Sequence, residues 1–69
     1  MTNHSDDIER AGARRVEAER VLAQATDDLR AAVLAAVADG VPVARAARMG
    51  QVSRVSVHRW IAESESAEK

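Results

Sequence analysis

No proline interrupts this chain before Pro42, and the stretch ahead of it is dominated by alanine, arginine and acidic residues. Little but helix can form from such a run, because alanine leads the helix-propensity scale and nothing in it removes a backbone donor. Ser5 followed by Asp6 and Asp7 reads as a helix start, with a side-chain oxygen for free N–H groups and acids at the positive end of the dipole. Oppositely charged side chains at helical spacing support the run: Asp6 with Arg10, Arg15 with Glu19, Glu17 with Arg20. Gly40 is the expected C′ residue, and Val41-Pro42 redirects the chain. The spacing therefore predicts helix over 6–39. Thr26-Asp27-Asp28 resembles a second N-terminal cap within it, so the run is either one helix of about 50 Å or two helices meeting near Thr26.

Composition narrows the fold further. The chain has 69 residues, a single aromatic residue (Trp60) and no cysteine. Its core must come from closely approaching, thin helices, which gives an all-α fold: a long N-terminal helix followed by a trihelical unit. Disulfides, thiolate metal sites and cysteine nucleophiles are excluded together. A chain this short rarely covers enough apolar surface alone, so self-association is favoured. Residues 1–5 are expected to be disordered. They lack the basic and apolar regions of a secretory leader, and no apolar run reaches membrane-spanning length, so a cytoplasmic, nucleoid-associated protein is expected.

Along 6–39 the apolar positions have their own period. Ala18, Leu22, Ala25, Leu29, Ala32 and Ala36 are separated alternately by four and three residues, a narrow heptad-like seam that Arg15 interrupts upstream. A partner helix fits such a seam, most economically the same helix of a second copy. Residues 6–26 are accordingly expected to dimerise, with Ala18, Leu22, Ala25 and Leu29 at the contact.

The net charge of −1 hides a segregation. Residues 1–40 hold five Arg against eight Asp and Glu, a net −3. Residues 41–62 hold Arg45, Arg48, Arg54 and Arg59 with no acid, a net +4. Residues 63–69 hold three Glu against Lys69, a net −2, and read as a fraying helix end or an acidic tail. A basic module thus lies between acidic flanks, and local positive field of this kind is what phosphate binding requires.

Within that module, 42–61 (PVARAARMGQVSRVSVHRWI) reads as a short helix over about 43–49, a tight turn, and a second helix from an N-cap at Ser53 to about Ala62. Ala47 lets the helices approach, and Val52, Val57, Trp60 and Ile61 point inward. Trp60 is read as core, not as a base-stacking residue. Arg54, Val55, His58 and Arg59 or Ala62 lie on the opposite face.

The string Ala47-x-Met49-Gly50-Gln51-Val52-Ser53-Arg54-x-Ser56-Val57-His58-Arg59-Trp60 resembles the helix-turn-helix of bacterial regulators and of resolvase, invertase and transposase DNA-binding domains. The preceding VLAAVADGVPVARAA is similar to the first helix and turn of those homeodomain-like units, so the resemblance covers 27–62. It implies duplex DNA as partner. By it, Ser53 and Ser56 touch phosphates or cap the helix, and Arg54 and His58 reach base edges. Val55 packs on a thymine methyl, and Arg45, Arg48 and Arg59 hold phosphates. One departure stands out. The family usually has Gly just before the turn valine, where the backbone is left-handed; here Gln51 holds that place and Gly50 precedes it. Either Gln51 takes the strained angles, or the turn is one residue longer and Gly50 takes them.

Nothing in the sequence suggests catalysis or a cofactor. There is no Gly-rich phosphate loop and no histidine pair at ligand spacing, and Asp6-Asp7 and Asp27-Asp28 suit helix dipoles. No small-molecule ligand, cofactor or metal is expected. The expected function is sequence-specific binding of double-stranded DNA by a homodimeric transcription regulator. The alternatives are a phage or plasmid accessory factor for packaging, partition or recombination, and a helical protein–protein adaptor.

Overall fold

The computed structural model describes residues 4–67, which form three helices: α1 (His4–Ala38), α2 (Val43–Gly50) and α3 (Arg54–Ala67). The all-α expectation holds, and each helix touches the other two. Residues 1–3 of the segment expected to be disordered lie outside the described residues. His4 and Ser5 are already helical, so α1 starts two residues ahead of the expected position.

α1 is one helix of 35 residues, unbroken at Thr26. The cap-like residues there bond to helical neighbours instead. Gln24 Nε2 donates to Asp28 Oδ1 at 3.0 Å, and Arg30 pairs with Asp27 at 3.8 Å. Further up, Arg15 Nε lies 3.0 Å from Glu19 Oε1 and Arg20 Nη2 2.6 Å from Glu17 Oε1, while the expected Asp6–Arg10 pair does not form. The Arg20 hydrogen bond holds the Glu17 carboxyl below its ordinary pKa, and Glu17 in turn raises that of Arg20.

Two turns of the same kind link the helices. After α1, Gly40 N–H donates to Val37 O at 3.0 Å and Val41 N–H to Ala36 O at 3.0 Å. With Gly40 at φ 102, this is a Schellman termination. After α2, Gln51 N–H donates to Arg48 O at 3.2 Å and Val52 N–H to Ala47 O at 3.0 Å, repeating it. Gln51 itself adopts the left-handed conformation, φ 58 and ψ 40. The first of the two sequence alternatives is therefore the observed one. Gly50 does not take the turn's strained angles: its place inside α2 answers to packing. A Cβ there would stand 3.2 Å from Leu29 Cδ1 and 3.6 Å from Val33 Cγ2, so the missing side chain is what lets α2 lie against α1.

Val33, Ala46, Ala47, Val57 and Trp60 form the buried core, with Leu29, Leu34, Val37, Val41, Val43, Val52 and Ile61 packed around it. Arg30 lies over the Trp60 ring, its Cζ 5.7 Å from the centroid, closing the core with a cation–π contact. All of this cover involves only the last third of α1; residues 4–25 are exposed throughout. The consequence is an elongated molecule of 60 × 28 × 17 Å with a radius of gyration of 17.8 Å, against about 11 Å for a compact chain of this length.

Candidate nucleic-acid interface

α3 begins where the sequence places its cap. Ser53 Oγ accepts from the Ser56 N–H at 3.0 Å, and the two hydroxyls are hydrogen-bonded to each other at 3.0 Å. Val57 N–H donates to Ser53 O at 3.2 Å, closing the first turn. Ser53 thus fills the capping role. At the far end α3 continues to Ala67, five residues past about Ala62, so of the two readings of this segment 63–67 takes the helical one. Residues 68 and 69 lie outside the described residues.

The inward side of α3 is set by Val57, which is fully buried, by Trp60, and by half-buried Val52 and Ile61 around them. At 100° per residue the opposite side is centred on Val55 and Ala62. Arg54 and His58 flank it on one edge and Arg59 on the other, and all five side chains are exposed. Val55, an apolar residue left 67 % exposed, sits in the middle of a basic face.

α2 is built the same way. Ala46 and Ala47 are buried against α1 and α3, and Arg45 and Arg48, three residues apart, project from the opposite side. No side chain caps its start; Pro42 stands at the N-cap with φ −60, and its carbonyl accepts from Ala46 N–H at 3.0 Å.

Electrostatically the two halves of the molecule differ. Among the described residues, the ion pairs Arg15–Glu19, Arg20–Glu17 and Arg30–Asp27 all lie within α1. Among the described residues none of Arg45, Arg48, Arg54 and Arg59 is paired with a carboxylate. These four guanidinium groups are exposed and remain available to an external anion.

The residues expected to dimerise divide between two settings. Ala18, Leu22 and Ala25 are exposed, Leu22 to 66 %. Leu29 is half-buried, packed on the core and against Gly50. Three residues that shape the module were not singled out in the sequence for that role. Arg30 enters there only in the charge count, Gly50 as a turn residue and Met49 as part of a motif string, because their use depends on contacts between helices.

No helix of the described residues is long and apolar enough to cross a membrane. The family model for the homeodomain-like domain matches residues 24–68, which takes in the last part of α1, both turns, α2 and α3. No curated protein and no solved structure was found to match the chain. With its three mutually packed helices, its capped third helix and this match over most of its length, the chain belongs to the homeodomain-like family of DNA-binding helix-turn-helix domains.

Proposed function

We propose that the protein is a homodimeric transcription regulator that recognises a specific duplex sequence by placing α3 in the major groove. The observation that carries this reading is the set of four exposed arginines without acidic partners, Arg45, Arg48, Arg54 and Arg59, on a stretch that contains no carboxylate. Arg54 and His58 share one edge of the outward side of α3, near its start, where a recognition helix meets base edges. Arginine donates two parallel hydrogen bonds to guanine O6 and N7, worth about 1–3 kcal/mol of discrimination. Exposed Val55 between the basic edges suits a thymine methyl. Arg45 and Arg48 on α2, with Arg59, hold phosphates and fix the docking register. Ser53 stays committed to its cap, and Ser56, bonded to it, stands beside the backbone N–H groups that open α3.

Dimerisation is assigned to α1 through Ala18, Leu22, Ala25 and the outer side of Leu29. Selection of bound fragments from a random duplex pool tests the reading. The expected product is a motif of two inverted half-sites whose centres are about 34 Å, one helical turn, apart. A pool that binds but yields no common motif would contradict specific recognition.

A further inference from the structure

From Ala18 onward the seam of α1 and the α1–α2 groove form one continuous apolar track. Leu29, Ala32 and Ala36 of α1 floor a shallow groove of ≈ 200 Å³ whose far wall is Val41, Ala46, Met49 and Gly50. On the helix surface these floor residues continue the line of Ala18, Leu22 and Ala25, all exposed. Leu22 and Met49 are open to solvent by 66 % and 70 %. The total exposed surface is 5724 Å², whereas a globular monomer of 7.4 kDa exposes about 4,200 Å². That excess exceeds the roughly 800 Å² that each partner buries in a stable dimer.

We infer that the occupant of this track is α1 of a second copy, running antiparallel, so that its N-terminal half lies in the α1–α2 groove. The inference rests on the homodimer proposed above and specifies its geometry. Three observations select the antiparallel arrangement. The first is layer packing. Antiparallel, Leu22 faces Ala25 of the other copy, Leu29 faces Ala18, and Ala36 faces Ala11, so large residues meet small ones and the helix axes keep one spacing. Parallel, Leu22 and Leu29 would meet their own copies, and Ala18, Ala25 and Ala32 theirs. Tight and hollow layers would then alternate along one straight pair of helices.

Charge is the second. A parallel pair brings Arg15 against Arg15 on the seam, whereas the antiparallel pair sets Arg15 over Ala32.

Gly12 is the third. In the interior of an exposed helix glycine costs about 1 kcal/mol relative to alanine, and nothing within 4 Å of a Cβ built there accounts for it inside this chain. Gly12 stands three heptads before Val33, on the same edge of the seam. Like edges meet in an antiparallel coil, so Gly12 of one copy comes level with the groove floor and passes against the α2 wall, beside Met49. Absence of a side chain is what a close passage there needs. The same geometry separates the two helix-turn-helix units by about 28 Å along α1, near the repeat of one duplex turn.

The chain has no cysteine, so engineered thiols report this arrangement cleanly. Gly12 and Met49 are both on the surface or at an open groove rim, and within one chain they are about 29 Å apart along α1, far beyond disulfide reach. Gly12→Cys and Met49→Cys proteins, mixed in equal amounts and oxidised, are expected to give a covalent dimer that neither gives alone. Ala18→Cys is expected to give none, because its two copies would lie about 16 Å apart. Cross-linking of Ala18→Cys alone, or a dimer by light scattering that cross-links in neither test, overturns the antiparallel geometry and leaves the dimer standing. A monomeric mass at tens of micromolar overturns both. DNA binding by the unmodified chain is a separate measurement and survives either result.

Discussion

Gln51 holds a conformation that costs an ordinary residue about 1–2 kcal/mol, and it holds it without losing the two hydrogen bonds that end α2. Glycine at that place relieves the strain while adding freedom to the unfolded chain, effects that partly cancel. Gln51→Gly is therefore expected to stabilise the protein by about 0.5–1 kcal/mol, read as a higher urea midpoint at unchanged slope; a lower midpoint would show that the Gln51 side chain contributes a contact of its own. At the DNA surface the residues differ in kind. Arg54→Ala is expected to weaken binding to the selected sequence by about 1–3 kcal/mol more than to random duplex, as base readout requires. Arg45→Ala is expected to weaken both alike. Competition titrations separate the cases, and equal losses for Arg54→Ala would remove its base-reading role. The basic side chains were legible in the sequence because an acid-free run of arginines needs no fold to be seen. Which residue takes the left-handed turn was not, since Gly50 and Gln51 both offer a solution until the position of Leu29 is known.

At the scale of elements, the close approach of α2 to α1 turns on Gly50. Leu29 Cδ1 would lie 3.2 Å from an added Cβ, and a β-branched side chain would reach further into Leu29 and Val33. Gly50→Val is expected to destabilise the fold by about 1–3 kcal/mol, the usual cost of overpacking. Thermal unfolding followed by circular dichroism checks this; an unchanged midpoint would mean that α2 slides without loss. The helices themselves were largely legible. Absence of proline, alanine content and Gly40 marked α1, and the Ser53 cap marked the start of α3. The join at Thr26 stayed open because Thr-Asp-Asp serves equally as a cap or as a source of helical side-chain pairs, and Asp27 and Asp28 here do the second. Helix over 63–67 was one of two readings, and Glu-Ser-Glu-Ser, with neither apolar period nor strong propensity, did not choose between them. It extends from a start anchored by Val57 and Trp60, so α3 needs no fresh nucleation there.

The whole molecule separates its tasks along its length. An acidic, self-paired rod projects from a small helical unit whose arginines face outward, and a net charge of −1 says nothing of this division. The core of that unit is small, so burial of the rod by a second copy is expected to matter to stability as well as to DNA geometry. In the proposed reading Arg45, Arg48 and Arg59 contact phosphates, so binding is expected to release counterions and the affinity to fall as salt rises. Titration of a labelled duplex between about 50 and 200 mM salt, followed by fluorescence anisotropy, measures this directly. With three phosphate contacts per protomer, a dimer is predicted to give a log–log slope of about −5, a loss of roughly a thousandfold across that range. Failure to bind duplex at the lowest salt, or binding that salt leaves unchanged, would contradict the account.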